Sequence, residues 1–321
     1  AEVRPRAMVR NLVTDASGRK LVAAEYIDAE GRVQRVEARA FVVACQAIET
    51  ARLLLNSKSA RHPQGLANGS GLVGKNLIFS VFGAGWGDMV HADWKDGGAW
   101  MRSDEPFINR QIHDFYWYDP KDPRRRNAAT TPAGRGFLKG GTLNFLLNHP
   151  NPIGGGLAQS FGESRANQAP LWGQPLKDRL DYWFHEMTPI KFEIFGEWFP
   201  GPHASVGVDT HVRDKWGLPV ARIRAFAHKW SRANADFLVA RAKEVLTQMG
   251  AKNARAVPRY GGPSVNLQGG TCRFGDDPKT SVLDRSCRAH EVENLYVTDG
   301  SFLPTGGSVP FTFTIYANAL R

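Results

Sequence analysis

Two neighbouring stretches near the end of the chain carry the residue types that could do chemistry. Residues 269–284, GGTCRFGDDPKTSVLD, combine a Gly-Gly-Thr-Cys-Arg run, a Gly-Asp-Asp-Pro turn and the start of a strand. Residues 294–305, NLYVTDGSFLPT, place Asp299 and Gly300 directly after a run typical of a buried strand. Loops this specific indicate a held ligand or partner segment, although an Asp-Gly pair alone is a very common turn pattern.

The elements ahead of these stretches are typical of an α/β protein. MVRNLV, LVAAEYI and VQRVEA predict an antiparallel meander with turns at DASGRK and DAEGR. AFVVAC then predicts a fully buried strand, and QAIETARLLLNS predicts a helix with one apolar face: Ile48, Ala51, Leu54 and Leu55. A buried strand that leads into a helix needs parallel neighbours, which the meander does not supply.

The middle of the chain, residues 58–260, predicts a sheet crossed by a long helix. IKFEIFGEWFPG predicts a strand, and ASVGVDTHVRDKWGLPVARIRAF predicts two strands joined by a turn. SRANADFLVARAKEVLTQMGA predicts the helix, capped by Ser231 and ended by Gly250. The apolar face predicted for the first strand consists of Phe192, Ile194, Gly196 and Trp198.

Residues 100–170 are rich in aromatic residues, Asn, Gly and Pro, as in QIHDFYWYD and GGTLNFLLNHPNPIGGG. This composition suits loops over a cleft in which rings and amides meet a polar ligand such as a sugar. A core rich in Trp and Tyr explains the same composition nearly as well.

The formal net charge of +10 first suggests a nucleic-acid partner. The densest basic run is only PRRRN at 123–127, and no zinc finger, RNA-recognition pattern or heptad array occurs. These observations disfavour nucleic-acid binding. The sequence also has no apolar run long enough to span a membrane.

The chain has three cysteines, an odd number, without a C-x-x-C pair. This pattern disfavours a disulfide scaffold or a zinc site. A single Cys272–Cys287 bridge remains open.

Three stretches together resemble the glucose-methanol-choline (GMC) oxidoreductases, FAD-dependent alcohol and sugar dehydrogenases and oxidases. The stretches are 41–57, 269–308 and 312–321, with RDKWGLPV at 213–220 between them. The resemblance is closest to bacterial sugar dehydrogenases. It implies an α/β FAD-binding domain of Rossmann type and an α+β substrate domain on a mostly antiparallel sheet.

The resemblance also implies a division into domains. A discontinuous FAD-binding domain would comprise 1–57 and 261–321, and a substrate-binding domain would comprise 58–260. The G-x-G-x-x-G turn with which the family holds the FAD pyrophosphate does not occur in this sequence. We therefore expect the C-terminal portion of a longer protein, and we expect these 321 residues alone to hold little FAD.

At the N-terminal end, the resemblance assigns residues to the dinucleotide part of FAD. Val9 would lie near the adenine, and Ala44 and Cys45 would approach the dinucleotide. The family usually has Gly where this chain has Gln46, and a side chain there interferes with a close approach of the backbone.

At the C-terminal end, the resemblance assigns residues to the flavin part. Asp299 and Gly300 match the positions that meet the ribityl chain and a phosphate. Pro310, Phe311 and Thr312 would run beside the isoalloxazine, where backbone dipoles stabilise negative charge on reduced flavin.

Alcohol oxidation needs a group that accepts the hydroxyl proton while hydride passes to flavin N5, and a neutral His suits that role. The position of the family's catalytic His is occupied here by Leu267. The position of its second catalytic residue, His or Asn, is occupied by Pro310, followed by Phe311. None of these three side chains accepts a proton.

Three explanations of this departure remain open. The alignment is shifted, so that Asn266 or Gln268 enters the site. Alternatively, the base comes from the middle region, whose candidates are His113, His149, His185 and His203. In the third explanation, the usual oxidation has been lost.

The function implied by the resemblance is oxidation of a sugar or other alcohol by hydride transfer to FAD, within a longer protein. A sugar or polyol would be the substrate, and an electron-transfer subunit is among the partners that the resemblance allows. The alternative is a non-catalytic flavin- or carbohydrate-binding relative that has lost the base.

Overall fold

The structure is a computed structural model that describes residues 2–97, 109–118, 138–147, 151–162, 170–259 and 267–321. The chain forms two compact units. The first comprises residues 1–81, 196–232 and 260–321, and the second comprises 82–195 and 233–259. The assignment of FAD binding and substrate binding to separate domains stays a prediction.

The secondary structure is mixed, with the following elements. The strands are β1 Met8–Thr14, β2 Leu21–Ile27, β3 Val33–Glu37, β4 Phe41–Val43, β5 Val81–Val90, β6 Asn109–Ile112, β7 Trp117–Tyr118, β8 Leu138–Lys139, β9 Gly141–Leu147, β10 Met187–Gly196, β11 Ala204–Arg213, β12 Pro219–Ala225, β13 Lys252–Arg259 and β14 Leu295–Val297. The α-helices are α1 Gln46–Asn56, α2 Pro152–Gly162, α3 Gly173–Asp181, α4 Lys229–Gln248 and α5 Thr312–Leu320.

The first unit begins with the predicted meander, in which β1, β2 and β3 pair antiparallel in that order. The next strand, β4, pairs in parallel with β14, so the strand ahead of the Asp299 loop lies beside the strand ahead of α1. Of the apolar face predicted for α1, Ala51 and Leu54 are fully buried, whereas Ile48 and Leu55 are only partly buried. These pairings bring two chain segments together that are far apart in sequence.

The predicted hairpin of the first unit is also confirmed. The strands β11 and β12 pair antiparallel from Ala204↔Ala225 to Arg213↔Pro219. Asp214 closes the turn by accepting hydrogen bonds from the backbone N–H groups of Trp216 and Leu218, as short polar side chains do in Asx turns.

The second unit is built on a five-stranded sheet in the order β13-β5-β10-β9-β6. Its register confirms antiparallel pairing of β13 with β5 and of β6 with β9. The predicted fold class, α/β with a mostly antiparallel α+β part, is confirmed by this architecture.

Small residues allow α4 to pack closely on one face of this sheet. A Cβ atom added at Gly83 of β5 would lie 2.4 Å from Val239 Cγ2 of α4. Phe192 and Ile194 of β10 are fully buried, as are Leu238 and Leu246 of α4. The core of the second unit therefore lies between α4 and one face of the sheet, and the opposite face carries Trp86 and Lys191.

Some sequence predictions were wrong in detail. Helix α4 begins at Lys229 rather than after Ser231, and the Ser231 hydroxyl accepts a hydrogen bond from Phe199 N–H. The strand β4 is not fully buried, because Val42 is 62% exposed. Cys272 and Cys287 are both buried free thiols, so the bridge left open by the sequence does not form.

Other predictions concern residues outside the described ranges. These are Asn266, His149 and the basic run at 123–127.

Gly74 provides a test of the packing in the first unit. Its φ is +79°, and an added Cβ would lie 2.1 Å from the carbonyl oxygen of Val206. We expect Gly74→Ala to lower the free energy of unfolding by about 3 kcal/mol, because a backbone clash adds to the left-handed conformation. Urea titration followed by circular dichroism measures this loss.

Gly31→Ala is the matched control, because Gly31 has φ +80° and open space around its Cα. It should cost only about 1 kcal/mol, the penalty of the conformation itself. Equal losses in the two variants would contradict the close packing at Gly74.

Candidate functional site

The centre of the candidate site is the buried carboxylate of Asp299, which is 8% exposed. Its Oδ2 accepts a hydrogen bond of 2.5 Å from the hydroxyl of Thr50 on α1. Its Oδ1 accepts from the backbone N–H of Ser301 at 2.8 Å and from the Ser301 hydroxyl. Asp299 thus starts the single helical turn Gly300–Phe302 and ties it to the first helix of the unit.

The Gly-Gly-Thr-Cys loop packs against the same turn. Gly270 N–H donates to the carbonyl of Gly300 at 3.1 Å, and Cys272 N–H donates to the carbonyl of Ser301 at 2.9 Å. The Thr271 hydroxyl donates to the carbonyl of Ala47 on α1 at 2.7 Å. Residues 269–272 therefore hold the Asp299 turn against the start of α1.

The start of α1 is exposed, although the helix body is buried. Ala44, Cys45 and Gln46 are all exposed. Gln46 has φ +69°, a left-handed conformation that favours glycine. The backbone at Gln46 thus has the conformation expected of the family's glycine, while this chain carries a side chain there.

Cys45 connects this exposed end to Asp299. Its backbone N–H donates to Thr50 Oγ1 at 3.2 Å, and Thr50 in turn donates to Asp299. Partial removal of the thiol from water, together with the nearby carboxylate of Asp299, raises the pKa of Cys45.

A second buried carboxylate, Glu197, fixes the loop that follows the Asp299 turn. Its Oε1 accepts from Gly306 N–H at 3.2 Å, and its Oε2 accepts from the Ser308 hydroxyl at 2.8 Å. Ser308 has φ +61°, which costs conformational energy in a residue other than glycine. Glu197 thereby stabilises the strained loop that leads to Phe311 and α5.

The structure brings together only some of the residues predicted to contact FAD. Asp299, Gly300, Ala44 and Cys45 converge where β4 and β14 end, whereas Val9 lies in β1 and is 36% exposed. Phe311 is buried at the start of α5, while Pro310 and Thr312 are exposed beside it. Their predicted contacts with FAD remain predictions.

The positions predicted for a base differ in their surroundings. Leu267 has φ +57°, and Gln268 beside it is partly buried. The exposed His113 and His185 interact with their neighbours Gln111 and Asp181. The partly buried His203 lies next to His228, with ring centroids 5.6 Å apart and ring planes tilted by 43°.

Sequence reasoning did not single out Thr50, Ser301 and Glu197, although they make the most buried polar contacts of the site. The only indication for Thr50 in the sequence was that it is a polar residue within the apolar pattern of α1. Ser301 follows the Asp-Gly pair, where a hydroxyl is common in turns. Nothing in the local sequence indicates that Glu197 binds a loop more than one hundred residues later.

Part of the chain matches a known protein family, and its full length is similar to two curated proteins. Residues 200–319 match the family model described as GMC oxidoreductase. The chain is 31% identical over 324 residues to 2-methyl-1,2-propanediol dehydrogenase of Mycolicibacterium austroafricanum, covering 100% of this chain and 53% of that protein. It is 28% identical over 324 residues to the fructose dehydrogenase large subunit of Gluconobacter japonicus, again covering 100% and 53%.

Solved structures give the same fold. A formate oxidase of Aspergillus oryzae superposes with a TM-score of 0.59 at 14% identity, covering 98% of this chain and 58% of that chain. Within this chain, residues 200–319 therefore form a domain of the GMC oxidoreductase family. It spans about half the length of the curated relatives that it matches.

Within the described residues, no helix is long and apolar enough to cross a bilayer. In the same residues, no group of three His, Cys, Asp or Glu side chains is arranged to hold a metal ion.

The link between Asp299 and Cys45 can be tested by alkylation. Replacing Asp299 by Asn removes a negative charge that raises the pKa of Cys45, so more thiolate forms at pH 8. We expect iodoacetamide to react about twofold faster or more with Cys45 in D299N. Peptide mapping must place the label on Cys45, because Cys272 and Cys287 are buried.

Asp277→Asn is the matched control, since Asp277 lies in an exposed turn of the neighbouring loop. Its rate should equal that of the unmodified chain. A D299N rate indistinguishable from the D277N rate would show that the Asp299 charge does not act on Cys45.

Proposed function

We propose that this chain forms part of an FAD-dependent oxidoreductase that oxidises an alcohol group of a sugar or related alcohol. The observation that carries the proposal is the family match together with the buried Asp299 turn at the position where the family meets the flavin side of FAD. The names of the relatives, a propanediol dehydrogenase and a fructose dehydrogenase large subunit, support this substrate class.

The hydrogen bonds of Asp299 leave room for a ligand hydroxyl. An ionised carboxylate has about four acceptor positions. Thr50 Oγ1, Ser301 N and Ser301 Oγ use three of them. The remaining position suits a hydroxyl of the ribityl chain.

The exposed start of α1 is suited to binding the phosphate groups of the FAD dinucleotide. Free N–H groups and the helix dipole at a helix N-terminus favour phosphate groups. Ala44 and Cys45 would lie along this part of the cofactor, whereas the Gln46 side chain must turn away from it. At the other end, Phe311 and Thr312 would flank the ring system at the start of α5.

FAD, when bound, supplies an acceptor for hydride at N5. The residues of this chain would hold the cofactor and position the substrate hydroxyl. Neither Leu267 nor Gln268 takes up a proton at neutral pH. A base from the middle region therefore remains part of this proposal, and an electron-transfer subunit agrees with the large-subunit name of the fructose dehydrogenase.

A second candidate function is a flavin or carbohydrate binder without turnover. Leu267 and Pro310 favour it, because they occupy the positions that the family uses for its catalytic side chains. This candidate keeps the Asp299 turn and loses only the proton transfer.

Anaerobic reduction of the flavin distinguishes the two candidates. Protein expressed from the complete gene and loaded with FAD is mixed with a panel of sugars, polyols and short diols without oxygen. We expect at least one of them to bleach the flavin absorbance near 450 nm. A flavin that stays oxidised with the whole panel would contradict the oxidase or dehydrogenase proposal and support the binder.

The role of Asp299 in cofactor binding is tested in the same protein. We expect Asp299→Asn to weaken FAD binding about tenfold or more, because a charged hydrogen bond to the ligand is lost. Fluorescence titration of the apoprotein with FAD measures the change, and Asp277→Asn serves as control. Unchanged FAD affinity in a folded D299N variant would show that Asp299 does not bind the cofactor.

A further inference from the structure

The second unit contains a cavity of about 690 Å³ on the sheet face that α4 does not cover. Its floor is formed by the ends of three neighbouring strands, β5, β10 and β13. Its wall is formed by α2, α3 and the helical turn that follows α3. This volume is in the usual range for small-molecule sites.

The floor combines an aromatic ring with cations. Trp86 of β5 lies directly opposite Arg255 of β13 in the antiparallel register, so both side chains point into the cavity. Lys191 of β10 lines the same floor. Trp86 is 40% exposed and lines the cavity, so part of its side chain is accessible to a ligand.

The two cations of the floor are available to a ligand. Both Lys191 and Arg255 are exposed, and neither forms a salt bridge with any residue of the described ranges. The wall adds Arg179, whose Nε donates to Gln159 Oε1 at 2.9 Å. The cavity therefore contains three cations and one lining carboxylate, Asp88, while the nearby carboxylate of Glu193 on the same strand also interacts with Lys191.

The carboxylate of Asp88 has an oxygen available to a ligand hydroxyl. Asp88 is 4% exposed and accepts a hydrogen bond of 3.1 Å from the amide of Asn253. No other hydrogen bond reaches the Asp88 carboxylate within the part of the chain that the structure describes. Its second carboxylate oxygen can accept a hydrogen bond from a sugar hydroxyl, because an ionised carboxylate only accepts hydrogen bonds and a hydroxyl can donate one.

The second indole completes the wall. Trp183 lies against α2, where an added Cβ at Gly155 would be 3.3 Å from Trp183 Nε1. Indole rings bind the apolar C–H face of a sugar, while their N–H groups donate to oxygen atoms. The cavity thus presents aromatic surface, hydroxyl acceptors and excess positive charge to one ligand.

We propose that this cavity binds a sugar acid, a hexuronate or an aldonate, with its carboxylate against Arg255 and Lys191 and its carbon skeleton on Trp86. An Arg guanidinium pairs with a carboxylate through two parallel hydrogen bonds, and Lys191 adds a second charge. Oxidation of the bound acid rests on the proposed function, whereas its binding does not.

Binding to the 321-residue chain is measured by calorimetry at low salt, without flavin. The ligands are glucuronate, gluconate, glucose and glucose 6-phosphate. We expect the two acids to bind about tenfold or more tightly than glucose, because each gains a charged hydrogen-bonded pair that glucose cannot form. Equal affinity for glucuronate and glucose, or no binding of either acid, would overturn the proposal, and tighter binding of the phosphate would overturn the assignment to a carboxylate.

Variants separate this site from the proposed cofactor site. Arg255→Gln should reduce the advantage of glucuronate over glucose to about twofold, while Arg224→Gln, an exposed arginine of β12 in the first unit, should leave it unchanged. Circular dichroism confirms that both variants are folded. An advantage that persists in R255Q would contradict the site.

The two proposals can fail independently. Asp299→Asn should leave glucuronate affinity unchanged, and R255Q should leave FAD affinity unchanged in the protein from the complete gene. A loss of sugar-acid binding in D299N would show that the binding signal depends on the fold of the whole chain rather than on this cavity. It would contradict the claim that the two sites are independent.

Discussion

The hydrogen bonding of one buried carboxylate, Asp299, is the constraint on which the first unit depends. A charged group that is almost entirely removed from water must be hydrogen-bonded, or its burial is very costly. Thr50 and Ser301 satisfy it, one from α1 and one from its own turn. Because these two donors come from distant parts of the sequence, the carboxylate is stable only when α1, β4 and β14 are assembled.

The same assembly explains why the loop at 269–272 has so specific a sequence. Gly269 and Gly300 approach each other's backbone so closely that an added Cβ at Gly269 would lie 2.7 Å from the Gly300 carbonyl oxygen. Thr271 then donates to α1 and Cys272 to the Asp299 turn. The glycines are required by this close approach, and the Thr hydroxyl supplies a partner for a helical carbonyl. The contacts that stabilise this unit are therefore the same ones that would shape the proposed FAD site.

Periodic elements of the fold were predictable from the sequence, while contacts between distant segments were not. The meander, α1 and the β11–β12 hairpin follow from alternation, helical spacing and turn residues. Ser231 resembled a helix cap, but its hydroxyl binds Phe199 N–H, which no local pattern indicates. Likewise, the left-handed conformation of Leu267 depends on its surroundings, since leucine itself disfavours it. At the candidate site, Asp299 was found through a family resemblance, whereas Thr50 and Glu197 required the structure.

The most direct measurement is a crystal structure of the protein expressed from the complete gene with FAD bound. The account predicts the Asp299 carboxylate within about 3 Å of a ribityl hydroxyl, with the start of α1 along the dinucleotide and the start of α5 beside the isoalloxazine. A structure in which Asp299 keeps only Thr50 and Ser301 as partners, with the flavin bound elsewhere or no hollow for a three-ring system beside it, would contradict the account.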